Sequence, residues 1–262
     1  LRQQAERFGV ELLQAQEVAG IHRHGNYHCV TTGDSGEYSA RTLLIATGSR
    51  YKRLEVPGET DYLGAGVHFC ATCDGPFYKG KKVAVIGGGN SATEESLLLT
   101  KFAERVIILA RGEKFTASQV IQEKVLNHPQ IEVRWNTSVK SFEGADSKLN
   151  RLRVVDSQTG QEEELPVDGT FIFIGLSPNT GFLQDSDVVL DRWGFIVTGH
   201  ALQHRESVPP QTSSRGPALM ETSVPGVFAA GDVRDGSTKQ VVSAAGEGSS
   251  AALSIREYLK LV

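Results

Sequence analysis

The 262-residue chain is 39% hydrophobic and 22% charged, with a net charge of −4. That composition suits an ordinary globular protein and argues against a nucleic-acid binder or an anionic-membrane ligand. No apolar run is long enough to span a bilayer, no signal-peptide pattern is visible, and three cysteines, two of them in C-x-x-C, do not make a secreted disulfide scaffold. A reducing cytoplasm is the expected address.

The opening LRQQAERFGVELLQAQEV predicts an amphipathic helix running directly into a strand, as in the middle of a domain. Residues 10–49 alternate apolar and polar in short runs punctuated by Gly25, Gly33 and Gly36, which predicts strands and hairpins; Cys29 is expected to be buried on one of them. TLLIATGS (42–49) reads as a buried strand ending in a glycine turn, and 50–64, with Pro57-Gly58, reads as a linker. From Lys82 the period becomes strand–turn–helix–strand. KVAVIG, a helix from GGNSATEESLLLTKFA, RVIILAR, a helix in ASQVIQEKVLNHP, one strand in IEVRWNTSVKSFEG, then a hairpin and return strand form a nucleotide-binding unit. Residues 199–219 are loop-like, VPGVFAAGD is a strand and TKQVVSAAGEGSSAALSIREYLK a final long helix.

Gly87, Gly89 and Ala92 match G-x-G-x-x-A between a strand and a helix. The first glycine permits the turn, the second lets backbone approach a pyrophosphate, and the small third residue allows close packing. Asn90 and Ser91 open the helix, whose free N–H groups face the phosphates. At the end of the next strand LARGEK supplies Arg111 and Lys114, which favour the 2′-phosphate of NADPH, with Glu113 opposing them.

Cys70 and Cys73 in CATCD can close a disulfide within one turn, and a helix amino terminus there would favour the thiolate. Asp74 follows directly and could move a proton. Two other readings stay open: a zinc site with His68 as a third ligand, and a pair of buried structural thiols.

CATCDG together with KVAVIGGGNSATEE, PNT and VPGVFAAGDVRD, in that order, resembles the low-molecular-weight, bacterial-type thioredoxin reductases, class II of the pyridine nucleotide-disulfide oxidoreductases, over nearly the whole chain. The resemblance implies an α/β fold of two interleaved, three-layer, Rossmann-like domains, each with a central parallel sheet plus an antiparallel β-meander. Residues 1–52 with 179–262 would form a partial FAD-binding domain, and 53–178 the NAD(P)-binding domain carrying the redox C-x-x-C. It implies a homodimer that passes electrons from NADPH through FAD and the cysteine pair to thioredoxin or a similar small protein. Cys73 would face the flavin, Cys70 would attack the partner disulfide and Asp74 would be the acid, with hinges near 50–54 and 175–179. Thr47 and Gly48 in IATGS, Gly231, Asp232 and Val233 in AAGDV, and Lys239, Gln240 and Val241 in TKQVV carry over as flavin contacts.

Three departures qualify that picture. No G-x-G-x-x-G precedes residue 87, whereas a flavin cradle needs a β-α-β unit of about 30 residues or more. Truncation, a segment outside this sequence and natural loss of FAD all remain open, and the 262 residues alone are expected to hold FAD poorly and to be inactive. Natural loss would favour a non-catalytic redox-sensing or nucleotide-binding module. Next, the family's H-R-R-x-x-x-R reads ARGEKFT, which weakens the NADPH preference and leaves room for another donor such as ferredoxin. Last, residues 200–219 look like an insertion, with prolines at 209, 210 and 217.

Overall fold

The computed structural model describes residues 2–204 and 216–262, and the chain folds as two units, 1–50 with 177–262 and 51–176. Helix α1 (Arg2–Arg7) is shorter than the sequence predicts and buries none of its residues. Gly9, at φ 76°, ends it with the left-handed turn that glycine tolerates best. No strand follows directly: among the described residues regular pairing begins only at β1 (Val18–His24), and the alternation at 10–17 joins no sheet. β1 pairs antiparallel with β2 (Tyr27–Thr32), and β2 with β3 (Glu37–Ala40), with Cys29 buried on β2. β4 (Leu43–Ile45) follows, and β5 (Ser49–Tyr51) leads out of the first unit.

In the second unit, β6 (Val67–His68) enters α2 (Ala71–Asp74) and a 3-10 turn, Gly75–Tyr78. Then come β7 (Lys82–Ile86), α3 (Asn90–Leu99), β8 (Arg105–Leu109), α4 (Gln119–Leu126) and β9 (Ile131–Arg134). The single strand expected over 131–144 is two, because Asn136 turns the chain at φ 51° before β10 (Thr137–Ala145). β10 pairs with β11 (Lys148–Asp156) around Asp146-Ser147, both at positive φ as a tight hairpin turn requires, and β11 pairs with β12 (Glu162–Pro166). β13 (Gly169–Ile172) returns to insert between β6 and β7 in a parallel sheet ordered β6-β13-β7-β8-β9.

The apolar runs KVAVI and RVIIL explain the layering, since a parallel strand covered on both faces has no polar side. Val83, Val85, Val106 and Ile108 pack with Ala92, Leu99 and Val125 of the helices. Their neighbours Ala84, Ile86, Ile107 and Leu109 pack with Phe142, Leu152 and Leu165 of the meander. Helices, parallel sheet and antiparallel meander thus make three layers, as the resemblance implies. Each fully buried Val, Leu or Ile contributes roughly 1.5–3 kcal/mol.

β14 (Leu176–Pro178) carries the chain back and pairs with β5. Of the loop-like stretch at 199–219, Gly199–His204 is a 3-10 helix, and 205–215, with Pro209 and Pro210, lie outside the described residues. β15 (Val227–Ala229) pairs parallel with β4. On β15, Val227 and Ala229 face a core with Ile45 and Ile196, whereas Phe228 faces Ala251 of α5 (Val241–Tyr258).

Candidate functional site

Cys70 and Cys73 are joined by a disulfide. Cys70 is the N-cap of α2, and its Sγ accepts the Cys73 N–H at 3.1 Å. With only four residues, α2 is too short for the helix-terminus effect expected from sequence, so this N–H is the local group that favours charge on the Cys70 sulfur. Cys70 is half-buried and Cys73 exposed. The bond leaves neither sulfur free for zinc, and His68 is engaged elsewhere: Nδ1 lies 3.3 Å from Asp74 Oδ2 and Nε2 2.7 Å from Tyr78 Oη.

Burial pulls the His68 pKa below its ordinary 6.5, although Asp74 works the other way. Burial does the same to His28, helped by the Arg23 charge. For both, the unfolded chain takes up a proton before the folded one, so their contribution to stability is complete above pH 6.5 and falls away as pH drops towards the lowered folded values. Thermal unfolding should therefore shift to lower temperature on acidification below 6.5, and His28→Asn should flatten that slope. An unchanged slope in a folded His28→Asn protein would exclude this origin for His28.

The glycine turn leaves the carboxyl end of β7. Gly87 sits at φ 143°, and a Cβ there would run into the Phe173 carbonyl and approach Ala92 Cβ to 2.9 Å. Gly89 is the N-cap of α3 and no side chain caps the helix; the Asn90 carboxamide oxygen instead accepts the Ser118 N–H at 2.8 Å. The first-turn N–H groups of Asn90, Ser91 and the buried Ala92 are thus the helix's anion-facing end. Arg111 and Lys114 lie exposed just past β8, and Glu113 accepts from Gln158 Nε2 at 2.8 Å. β6, β13 and β7 run parallel, so the disulfide and the glycine turn leave the same carboxyl edge of one sheet. That edge is where open α/β sheets bind ligands.

The first unit repeats the arrangement on a smaller scale. β4 and β15 are parallel, and a cleft of about 390 Å³ opens beyond their carboxyl ends, lined by Ala46, Gly48, Ser49, Gly231, Asp232 and Val241 among others. Gly48 and Gly231 adopt φ 70° and 78°, and at Gly48 a Cβ would meet nothing within 4 Å. Gly231 N–H donates to Glu247 Oε2 at 2.7 Å, and Arg234 pairs with the same carboxylate at 3.1 Å. Ser49 Oγ is buried without a hydrogen-bond partner among the described residues. Val241 lies 82% exposed at the start of α5.

A profile of the pyridine nucleotide-disulphide oxidoreductases matches residues 2–248. The thioredoxin reductase of Treponema pallidum (strain Nichols) is 38% identical over 259 residues, covering 99% of this chain and 77% of that protein. The thioredoxin reductase of Bacillus subtilis (strain 168) is 37% identical over 256 residues, covering 98% and 74%. This chain belongs to the thioredoxin reductase family. The crystal structure of thioredoxin reductase from Streptococcus pyogenes MGAS5005 superposes with a TM-score of 0.84 at 34% identity, covering 99% of this chain and 78% of that one.

Within this family member, the residues singled out from sequence separate into groups. Cys70, Cys73 and Asp74 are clustered by α2, and Gly87, Gly89, Asn90, Ser91 and Ala92 by the β7–α3 turn. Gly48, Gly231, Asp232 and Val241 line the cleft. Thr47, Val233, Lys239 and Gln240 do not. Thr47 Oγ1 donates to the Asn179 carbonyl at 2.7 Å, and Val233 is in the core. Lys239 Nζ folds back onto the carbonyls of Asp232 and Arg234 at 2.9 and 2.8 Å, and Gln240 is the N-cap of α5. Sequence reasoning missed Ser49 and offered His68 only as a third ligand in the zinc alternative. Each lies one or two positions from a recognised motif, but only packing shows that the first is buried without a hydrogen-bond partner among the described residues and that the second meets Asp74 and Tyr78 through its two nitrogens.

Proposed function

We propose that this protein passes electrons from NADPH through FAD and the Cys70–Cys73 disulfide to thioredoxin or a similar small protein, working as a cytoplasmic homodimer. The observation that carries the reading is the disulfide on the same carboxyl sheet edge as the glycine turn, in a chain of this family. We assign 53–178 to NADPH and the redox pair, and 1–52 with 179–262 to the flavin. Among the described residues no helix is long and apolar enough to cross a membrane.

The cleft residues fit a planar, polar-edged group. Gly48 and Gly231 allow close backbone approach, Asp232 accepts from hydroxyls, and Ser49 Oγ gains a partner. When bound, the flavin supplies the relay between a two-electron hydride donor and a disulfide. The rest is the chain's own work. The Gly87–Ala92 turn holds the dinucleotide pyrophosphate, and Arg111 with Lys114 meets its ribose end. Cys70, favoured as thiolate by the Cys73 N–H, attacks the partner disulfide. Cys73 resolves the mixed disulfide, and Asp74 handles the proton.

The test is the protein purified from its full gene, with NADPH and thioredoxin. A yellow protein that bleaches with NADPH and generates thioredoxin thiols supports the reading. A colourless one that leaves its own disulfide oxidised overturns it in favour of a non-catalytic redox-sensing module. Arg111→Ala should raise KM for NADPH about tenfold and leave KM for NADH within about twofold, since only the former has the 2′-phosphate. Equal changes for both would exclude Arg111 as the discriminator.

A further inference from the structure

His68 joins the redox site to a buried phenol. The side chain is 8% exposed and Tyr78 7%, and the His68 ring also packs 5.3 Å from the Phe171 ring. The partners settle the tautomer. A carboxylate only accepts, so Nδ1 carries the proton towards Asp74 Oδ2, and Nε2 accepts the Tyr78 O–H. That phenol stays protonated, because burial and then the Asp74 and Asp168 charges push its pKa up to about 12. Tyr78 is itself seated over Gly169, where any side chain would collide with the phenol ring. The charged groups facing this unit are Asp74, Asp168 and the Lys81 ammonium, 5.5 Å from the Tyr78 ring centroid.

We propose that His68 is a positioning residue for the disulfide chemistry: it orients Asp74 beside Cys73, and the imidazole–carboxylate pair holds the proton that the Cys73 thiol gives up. The inference rests on the reading of Cys70–Cys73 as the redox centre. In the reduced pair Cys70 is the thiolate and Cys73 the thiol. Attack by Cys70 breaks the partner's S–S bond, forms a mixed disulfide and releases the first partner sulfur as thiolate. Cys73 then loses its proton to Asp74 Oδ2, attacks the Cys70 sulfur and expels the second partner sulfur. Two electrons end on the partner, the Cys70–Cys73 bond is restored, and the held proton passes to a departing thiolate. Tyr78 keeps the ring in the tautomer whose Nδ1–H faces the carboxylate.

The test uses the full chain, reduced with dithiothreitol, freed of it, and alkylated with iodoacetamide between about pH 5 and pH 9. As pH falls past the lowered His68 pKa, the imidazolium offsets the Asp74 charge and the wild type keeps a reactive thiolate. His68→Phe should lose about tenfold in rate at the acidic end, equivalent to a unit of thiol pKa, and approach the wild type near pH 8. His68→Asn, which keeps a donor but cannot take up a proton, should show the same acidic loss. In an Asp74→Asn background, His68→Phe should add nothing. A folded His68→Phe protein with the wild-type profile overturns the proposal, as does a wild-type profile in His68→Asn should the Phe variant fail to fold. The assay needs neither flavin nor thioredoxin. Failure to reduce thioredoxin would therefore sink the functional reading alone, and an unchanged alkylation series in an active reductase would sink this inference alone.

Discussion

Replacing Cys70 with serine should abolish reduction of a protein disulfide, while NADPH should still bleach the proposed flavin. The loss should reach roughly three orders of magnitude or more, the scale of removing a nucleophile outright. A hydroxyl at 70 can still accept the Cys73 N–H that Cys70 Sγ accepts at 3.1 Å, so the local fold survives and the defect is chemical. The companion Cys73→Ser keeps the attacking sulfur and loses the resolving one. It should accumulate a covalent complex with thioredoxin, seen as a band that disappears with dithiothreitol. If Cys70 cannot be trapped in the Cys73→Ser protein while Cys73 is trapped in the Cys70→Ser protein, the assigned order of the two sulfurs is reversed, and normal turnover of Cys70→Ser would show that the pair is not the redox centre.

Gly87→Val should raise KM for NADPH by about a hundredfold or more, close to 2.8 kcal/mol of lost binding. The backbone stands at φ 143°, which a β-branched residue strongly resists, and the added Cβ meets the Phe173 carbonyl and Ala92. Relief requires moving the end of β7 or the start of α3, the segment assigned to the pyrophosphate. Folding stability should fall by roughly 2–3 kcal/mol, read as a lower Tm. Reduction of Cys70–Cys73 by dithiothreitol should continue, because that exchange does not use the nucleotide. A variant with normal KM would show that the turn binds nothing.

The nucleotide unit was legible because its signals are local and dense. KVAVI and RVIIL are apolar throughout, and strand, glycine turn and helix follow without interruption, so periodicity and turn chemistry agree. The strand breaks were not legible in the same way. Asn136 and Asp146-Ser147 take positive φ without a glycine, and the chain at 10–17 alternates like a strand but joins no sheet among the described residues. Within the cleft, Gly48, Gly231 and Asp232 could be named from strand-end motifs. Lys239 could not be judged, because its long side chain turns back to its own loop carbonyls.

By itself the sequence determined which chemistry is carried: a thiol pair separated by two residues, a dinucleotide turn downstream and a second pair of glycine-ended strands. Those are properties of neighbouring residues, fixed by covalent spacing. Only the tertiary structure decided that β13 inserts between β6 and β7, which sets the disulfide and the turn on one sheet edge. It also decided that His68 bridges Asp74 to Tyr78, with Tyr78 lodged over Gly169 on β13. Such contacts join residues 6 to roughly 100 positions apart, and they form because burying the parallel sheet on both faces leaves each side chain one place to go.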